Sequence, residues 1–304
     1  MLSSALTEYL SFRRLGGFKY HIEEGVLRSF VRFASKRGET HIRSATVIDW
    51  AAQGPSSTQR EARLRIVIAF ARFCRSTDTV HEIPPKGVFG SGRHRRPVAY
   101  VFSPEQIRQI LRAARQLEPK ASLRPYTYNT MFGLLAATGL RIGEALRLCI
   151  DDITPDGLVI RKTKFRKNRL VPLHPTTVIA LQGYLALRTR IGGSDIHVFV
   201  GANGQPLKQA MVALVFQQII AALGLKGARF GRDPRLHDFR HTWVARALEC
   251  CPSDKGLIDR HARAVMTYLG HVSVANSYWY IHNTPALMNR IADAFAAQEQ
   301  EVRS

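Results

Sequence analysis

The sequence predicts a mainly α protein with one small β-sheet: an N-terminal helical bundle followed by a larger α+β domain. Three observations carry this. Apolar residues recur at helical spacing over roughly the first 80 residues. A basic stretch rich in proline and glycine then interrupts the pattern. Farther on, two short runs of branched aliphatics flank a basic turn, as in a β-hairpin. The length of 304 residues suits two domains at about 150 residues each, and 45% hydrophobic residues suffice to give them cores.

In chain order, Ile22, Val26, Leu27, Phe30, Val31 and Ala34 mark one amphipathic helix. A shorter piece spans Val47 to Ala52. After Gly54 and Pro55 a further helix carries Ala62, Ile66, Val67, Ala69, Phe70 and Phe73. Arg28, Arg32, Lys36, Arg37, Arg60, Arg63 and Arg65 are read as basic outer faces. Residues 1–82 form this bundle. The stretch 83–102, with Pro84, Pro85, Gly87, Gly90 and Gly92, cannot continue a helix and reads as a linker; its Arg93, Arg95 and Arg96 suit either a strap over phosphates or a solvated connection. The second domain, 103–304, opens where Ser103 can cap a helix with Pro104 at its first position and Gln106 completing a capping box. Helical pattern continues through Leu134 to Leu140 and past Gly143. Leu158 to Ile160 and Leu170 to Leu173 form the hairpin, Val198 to Val200 a further strand, and the chain from about Gln209 is mainly helical.

Charge narrows the partner. Against 23 Asp and Glu stand 44 Lys and Arg, a net +21 spread along the chain, which favours a polyanion held along an extended surface; ribosomal or membrane-surface binding would give the same charge, so charge alone shows only an acidic partner. The longest uncharged apolar stretch, Met131 to Leu140, is far below the ~18 residues that span a bilayer, so no membrane partner is expected. Residues Met1 to Tyr20 lack the pattern of a signal peptide, and the expected compartment is the cytoplasm, in association with the bacterial nucleoid. Cys74, Cys149, Cys250 and Cys251 have neither paired metal-ligand spacing nor disulfide density, so no structural zinc is expected.

Four clusters in the second domain carry chemistry. In Thr138 to Leu146, Arg141 follows a glycine break and can project its fork toward a phosphate, with Glu144 three residues on to orient it; a simple helix cap has the same sequence. The run Lys162 to Arg169 is a hairpin tip basic enough to enter a groove through Lys162, Arg166 and Lys167, and a lysine there could deliver a proton if neighbouring cations lowered its pKa. His237, Arg240 and His241 fall on one helical face. Their histidine spacing matches a zinc-protease helix, but Asp238 stands where that chemistry needs glutamate, so no metal is assigned. The fourth cluster is Leu269, Gly270 and His271, followed by Tyr278, Trp279 and Tyr280.

In order and context these elements resemble the tyrosine recombinase (phage integrase) family over nearly the whole chain. The resemblance places the family's first catalytic arginine at Arg141 with accessory Glu144, and its hairpin lysine at Lys164 in a K-x-x-K-x-R-L-V-P-L box. Its H-x-x-R box falls on His237 and Arg240 with His241 flanking, its L-G-H histidine on His271, and its nucleophile, nine residues beyond that histidine, on Tyr280. The interval Arg246 to Arg263 is longer than the family pattern, and Tyr278 stands two residues from the assigned nucleophile. The Tyr-Trp-Tyr-Ile run is similar to that of some transposon integrases.

What the resemblance implies is a DNA strand-exchange enzyme that works without cofactor, metal or ATP, as a homotetramer on two synapsed recombination sites in double-stranded DNA. Other recombinases or DNA-bending proteins are the further partners it allows. A final helix, Thr284 to Gln300, docks on a neighbouring subunit or on its own domain. A type IB topoisomerase-like nicking-closing enzyme would share this site without synapsis, and a noncatalytic DNA-binding regulator would share only the scaffold.

Overall fold

The computed structural model describes residues 2–90, 99–161, 168–191, 195–227, 232–250 and 255–270. The chain divides into two compact units, Met1–Arg96 and Pro97–Ser304. In the first, helices α1 (Leu2–Leu15), α2 (His21–Lys36), α3 (Ser44–Ala52) and α4 (Ser57–Thr77) enclose a core of Leu6, Leu10, Leu27, Phe30, Trp50, Leu64, Val67 and Phe70. Ser56 starts α4 by accepting a hydrogen bond from the Gln59 amide at 3.2 Å, satisfying one of the donors a helix start leaves open. Cys74 is buried on α4.

Three readings of this unit change. The sequence pattern did not mark α1, whose apolar residues Leu2, Leu6, Tyr9 and Leu10 face the core. Ile22 is 78% exposed, because it lies in the first turn of α2, ahead of the core contact that begins at Val26 and Leu27. Arg60 and Arg63 are turned inward: the Arg60 Nε donates to the Gly54 carbonyl at 2.7 Å, and the Arg63 guanidinium lies 5.4 Å from the Trp50 ring centre. Arg28, Arg32, Lys36, Arg37 and Arg65 remain exposed.

His41, Asp78 and His81 come together beside the start of α3. His81 is buried, and its Nδ1 accepts the Ile42 amide proton at 3.0 Å. Its other nitrogen therefore carries the ring proton and has no lone pair for a cation. The Glu82 carboxylate takes the Ser44 amide at 2.7 Å. The cluster is a hydrogen-bonded clasp that holds the chain beyond α4 against the α3 start.

The second unit begins with α5 (Pro104–Arg115), started by the expected capping box of Ser103 and Gln106. Then follow α6 (Arg124–Thr138), the short α7 (Ile142–Leu146), a 3-10 turn at Ile150–Asp152, strands β1 (Ile153–Thr154), β2 (Gly157–Ile160) and β3 (Arg169–Val171), and helices α8 (Pro175–Ile191), α9 (Gln209–Ala222), α10 (Asp238–Glu249) and α11 (Lys255–Leu269). The three strands form one antiparallel sheet in sequence order, with Leu158 paired to Val171 and Ile160 to Arg169. The mainly helical fold with a small sheet is as expected. Val198 to Val200 is not a strand: it lies between isolated bridges, Cys149 to His197 and Val200 to Pro206, too short a pairing to form a ladder. The helix expected to run past Gly143 instead stops at Thr138 and restarts at Ile142.

Four phenylalanines, Phe102, Phe132, Phe216 and Phe239, centre the core of this unit, with ring centres 5.2–6.4 Å apart. They come from the segment before α5, from α6, α9 and α10, so one aromatic cluster ties four parts of the chain together. Each such ring contributes about 1.5–3 kcal/mol by burial. Phe239 is the second residue of α10, between Asp238 and Arg240, so its anchoring fixes the start of the helix on which Arg240 stands. The Phe102 amide also donates to the Thr242 hydroxyl at 2.9 Å. Among the described residues, no helix is long and apolar enough to cross a membrane.

Candidate active site

The site is built where two helices end and two begin. Helix α6 stops because Gly139 turns into the left-handed region at φ 61°, where a side chain would also press on Trp243, 3.0 Å from the position of its Cβ. Arg141 then takes an extended conformation and precedes α7. Its amide and its Nη1 both donate to the Glu144 carboxylate, at 3.0 and 2.9 Å.

Glu144 is buried and takes two further hydrogen bonds, at 3.0 and 2.8 Å, from the fork of Arg169 at the start of β3. Burial alone would push its carboxyl up. The hydrogen bond and charge of Arg169, with the amide and charge of Arg141, outweigh that and hold it at about 2. The carboxylate is therefore ionised at any working pH and fixes one side of Arg141.

Arg240 is nearly fully buried, at 1% exposure. Its Nη1 donates to the Gly139 carbonyl at 2.8 Å and its Nη2 to the Leu269 carbonyl at 2.7 Å. Those carbonyls lie at the C-terminal ends of α6 and α11, where unpaired oxygens and the helix dipole favour a cation. One guanidinium thus ties the turn before Arg141 to the turn at Gly270, immediately before His271.

His237 caps α10, its ring centre 4.6 Å from that of His241. With Arg141, Glu144, Arg147 and Gln209 it lines a cleft of about 550 Å³. Desolvation, then the charges of Arg240 and Arg141, lower its pKa, so the imidazole is neutral near pH 7 and can accept a proton. His241 is driven down to about 3 by desolvation and by His237, Arg232 and Arg240. Asp238 anchors the approach to α10: it receives both arms of Arg232, at 3.0 and 2.7 Å, and the Arg235 amide at 2.6 Å.

The expected set is thus partly assembled. Arg141, Glu144 and His237 line one cleft, with Arg240 and His241 packed directly behind. His237 and His241 pair edge to face, and the charge of Arg240 acts on both rings while its guanidinium bonds the carbonyls of two helix ends. Lys164, His271, Tyr280, Arg93, Arg95, Arg96, Lys162, Arg166 and Lys167 lie outside the described residues, as does the helix expected at Thr284 to Gln300. Sequence reading gave no role to Arg169, which appeared only as a letter of the hairpin box, or to Arg232. A charge at the head of an otherwise apolar strand was the available signal for Arg169.

These values set an acid limit on stability. His241 binds its proton near 6.5 when unfolded and near 3 when folded, and Glu144 near 4.5 and 2. In each window the unfolded chain holds more protons, so stability rises with pH and is lost on acidification: first below 6.5 through His241, then below 4.5 through Glu144. Thermal melts should show the melting temperature falling from pH 7 to 5, and His241→Leu should flatten that fall. An unchanged slope in the variant would refute the buried neutral histidine.

Arg141, held by buried Glu144, and a neutral His237 thus line one cleft on a mainly helical scaffold with a small sheet. The chain belongs to the phage integrase family, whose model matches residues 101–286. It is 36% identical over 295 residues, 93% of each chain, to a protein of Sinorhizobium fredii (strain NBRC 101917 / NGR234) named as integrase/recombinase y4rB. To the tyrosine recombinase XerD of Brucella suis it is 26% identical over 252 residues, 80% of this chain and 77% of that one. Its fold is similar to that of the Tn1549 transposon integrase in complex with transposon right end DNA, with a TM-score of 0.66 at 15% identity, covering 97% and 99% of the two chains. It is similar also to the XerH site-specific recombinase bound to palindromic difH substrate, with a TM-score of 0.65 at 19% identity, covering 91% and 78%.

Proposed function

We propose that this chain is a site-specific DNA recombinase that cuts and rejoins strands through a 3′-phosphotyrosyl link at Tyr280. The observation that carries the reading is the arrangement of Arg141 on a buried, fully ionised Glu144, facing a cleft it shares with neutral His237. Such a site can meet an anionic phosphodiester with a fixed positive charge and a proton acceptor. The names of the relatives point to the same activity.

In the cleavage step the Tyr280 oxygen attacks the scissile phosphorus as the bond to the 5′ oxygen breaks. The phenol, with a pKa of ~10 in water, gives its proton to His237, and Lys164 gives one to the departing 5′ oxygen. Charge on the nonbridging oxygens is met by Arg141 and Arg240, with His271 as a further donor. The phosphodiester bond is exchanged for a phosphotyrosyl bond, so neither ATP nor metal is required, and attack by another strand's 5′-hydroxyl reverses the step. Residues 1–82 and 103–304, joined by 83–102, would each contact the duplex, with Arg93, Arg95, Arg96, Lys162, Arg166 and Lys167 on phosphates. Synapsis of two sites makes the working assembly a tetramer, acting in the cytoplasm.

The test is a plasmid carrying two recombination sites, incubated in EDTA. Recombinant joints should form at the rate seen with magnesium, and DNA affinity should fall steeply with salt. Relaxed plasmid without joints would mean a nicking-closing enzyme. Loss of cleavage in chelator with unchanged DNA binding would overturn the metal-free reading.

A further inference from the structure

We infer that Arg169 is a positioning residue for the phosphate clamp: through Glu144 it sets the direction of Arg141, and by packing on Gly270 it ties that arginine to the turn that leads into His271. This rests on the proposed recombinase reading.

The geometry has three parts. First, the Arg169 guanidinium is 11% exposed and gives both arms of its fork to Glu144, at 3.0 and 2.8 Å. The same two carboxylate oxygens receive the amide and the Nη1 of Arg141. Four donors therefore converge on one carboxylate that is itself only 3% exposed. A buried carboxylate is tolerable only when paired and hydrogen-bonded, and Arg169 supplies the larger part of that pairing. Without its fork, Glu144 would have to move toward water or take up a proton, and in either case it would no longer hold Arg141 where the α7 turn presents it.

Second, Arg169 lies against the end of α11. A Cβ built on Gly270 would stand 3.3 Å from its Nη1, 3.5 Å from its Cδ and 3.7 Å from its Cζ. The guanidinium thus packs directly on the turn at Gly270, whose φ of 62° favours glycine, and His271 is the next residue. Third, Arg169 opens β3, the strand that follows the segment containing Lys164, and pairs there with Ile160 of β2. One side chain thus touches the holder of the first arginine and the turn before the family histidine, while its backbone belongs to β3.

The role requires a guanidinium. Its planar fork matches a carboxylate with two parallel hydrogen bonds, whereas an ammonium on the shorter lysine chain offers a single charged point. Arg169→Lys keeps the charge and loses the second arm, so Glu144 and Arg141 stay paired but lose their fixed direction.

The test uses the full chain and two suicide substrates, one with an ordinary scissile phosphodiester and one with a methylphosphonate there, which removes one nonbridging charge. Arg169→Lys should melt near wild type and bind DNA within about twofold. It should cleave the phosphodiester on the order of 10²-fold more slowly, the usual cost of a misplaced catalytic group. On the methylphosphonate, where there is less charge for Arg141 to meet, the gap between wild type and variant should shrink to a few-fold. A merely structural role would slow both substrates alike. If Arg169→Lys does not fold, the apolar pair Glu144→Leu with Arg169→Met, which buries no charge, should fold and show the same phosphodiester-selective defect. Equal slowing on both substrates, or wild-type cleavage of the phosphodiester by either variant, overturns the role of Arg169. Wild type that forms no adduct on either substrate overturns the recombinase reading itself, and this inference with it.

Discussion

Tyr280→Phe should abolish covalent capture of DNA, while Tyr278→Phe should retain it. The two phenols are two residues apart, so composition cannot separate them; the family's nine-residue spacing from His271 selects Tyr280. Removing the nucleophilic oxygen leaves nothing to form the bond to phosphorus. The loss should be complete, unlike the graded losses that follow removal of a charge or a proton donor. On a nicked suicide substrate the covalent product survives SDS, and peptide mapping of that adduct decides between the two positions. An adduct at Tyr278, or one that persists in Tyr280→Phe, would reverse the assignment. DNA affinity should be unchanged in both variants, because neither substitution alters the charge that binds phosphate.

What could be read from the sequence, and what could not, follows from the distance over which each residue finds its partners. The capping box at Ser103 and Gln106 was legible because its donors and acceptors are three residues apart. The Arg141 and Glu144 pair was legible for the same reason. Arg240 was legible as a member of an H-x-x-R box, but its direction was not. The carbonyls it binds belong to Gly139 and Leu269, far away in the chain, and no local periodicity encodes them. Arg169 likewise meets Glu144 only after the sheet has formed, so a strand-opening arginine read as one more charge of a basic hairpin. The break at Gly139 was legible as a glycine before Arg141, although the helical pattern was read as resuming through Leu140 and past Gly143. The close approach of Trp243 from α10 would crowd any side chain at that position, and this is a tertiary fact. Helix α8 went unmarked because its apolar residues are spread around the helix without one dominant face.

Lys164→Ala should cleave ordinary DNA 10²- to 10⁴-fold more slowly, the range expected for lost general acid catalysis, and should recover on a substrate whose scissile 5′ oxygen is replaced by sulfur. An alkoxide is a poor leaving group and needs a proton as the P–O bond breaks. A thiolate is stable without one, so the sulfur substrate removes the task assigned to the lysine and to no other residue. The assignment needs this test because Lys162 and Lys167 belong to the same basic run. A cation there also binds phosphate, so a slow variant alone does not distinguish an acid from a contact. Loss of a phosphate contact would slow both substrates alike, whereas loss of the acid slows only the oxygen substrate. Arg141→Ala and Arg240→Ala should remain slow on sulfur, since the nonbridging oxygens carry their charge in either case and Arg240 also holds the ends of α6 and α11 together. Tyr280→Phe should remain inactive on both. If Lys164→Ala stays slow on the sulfur substrate while Lys162→Ala or Lys167→Ala is rescued, the proton comes from that other lysine.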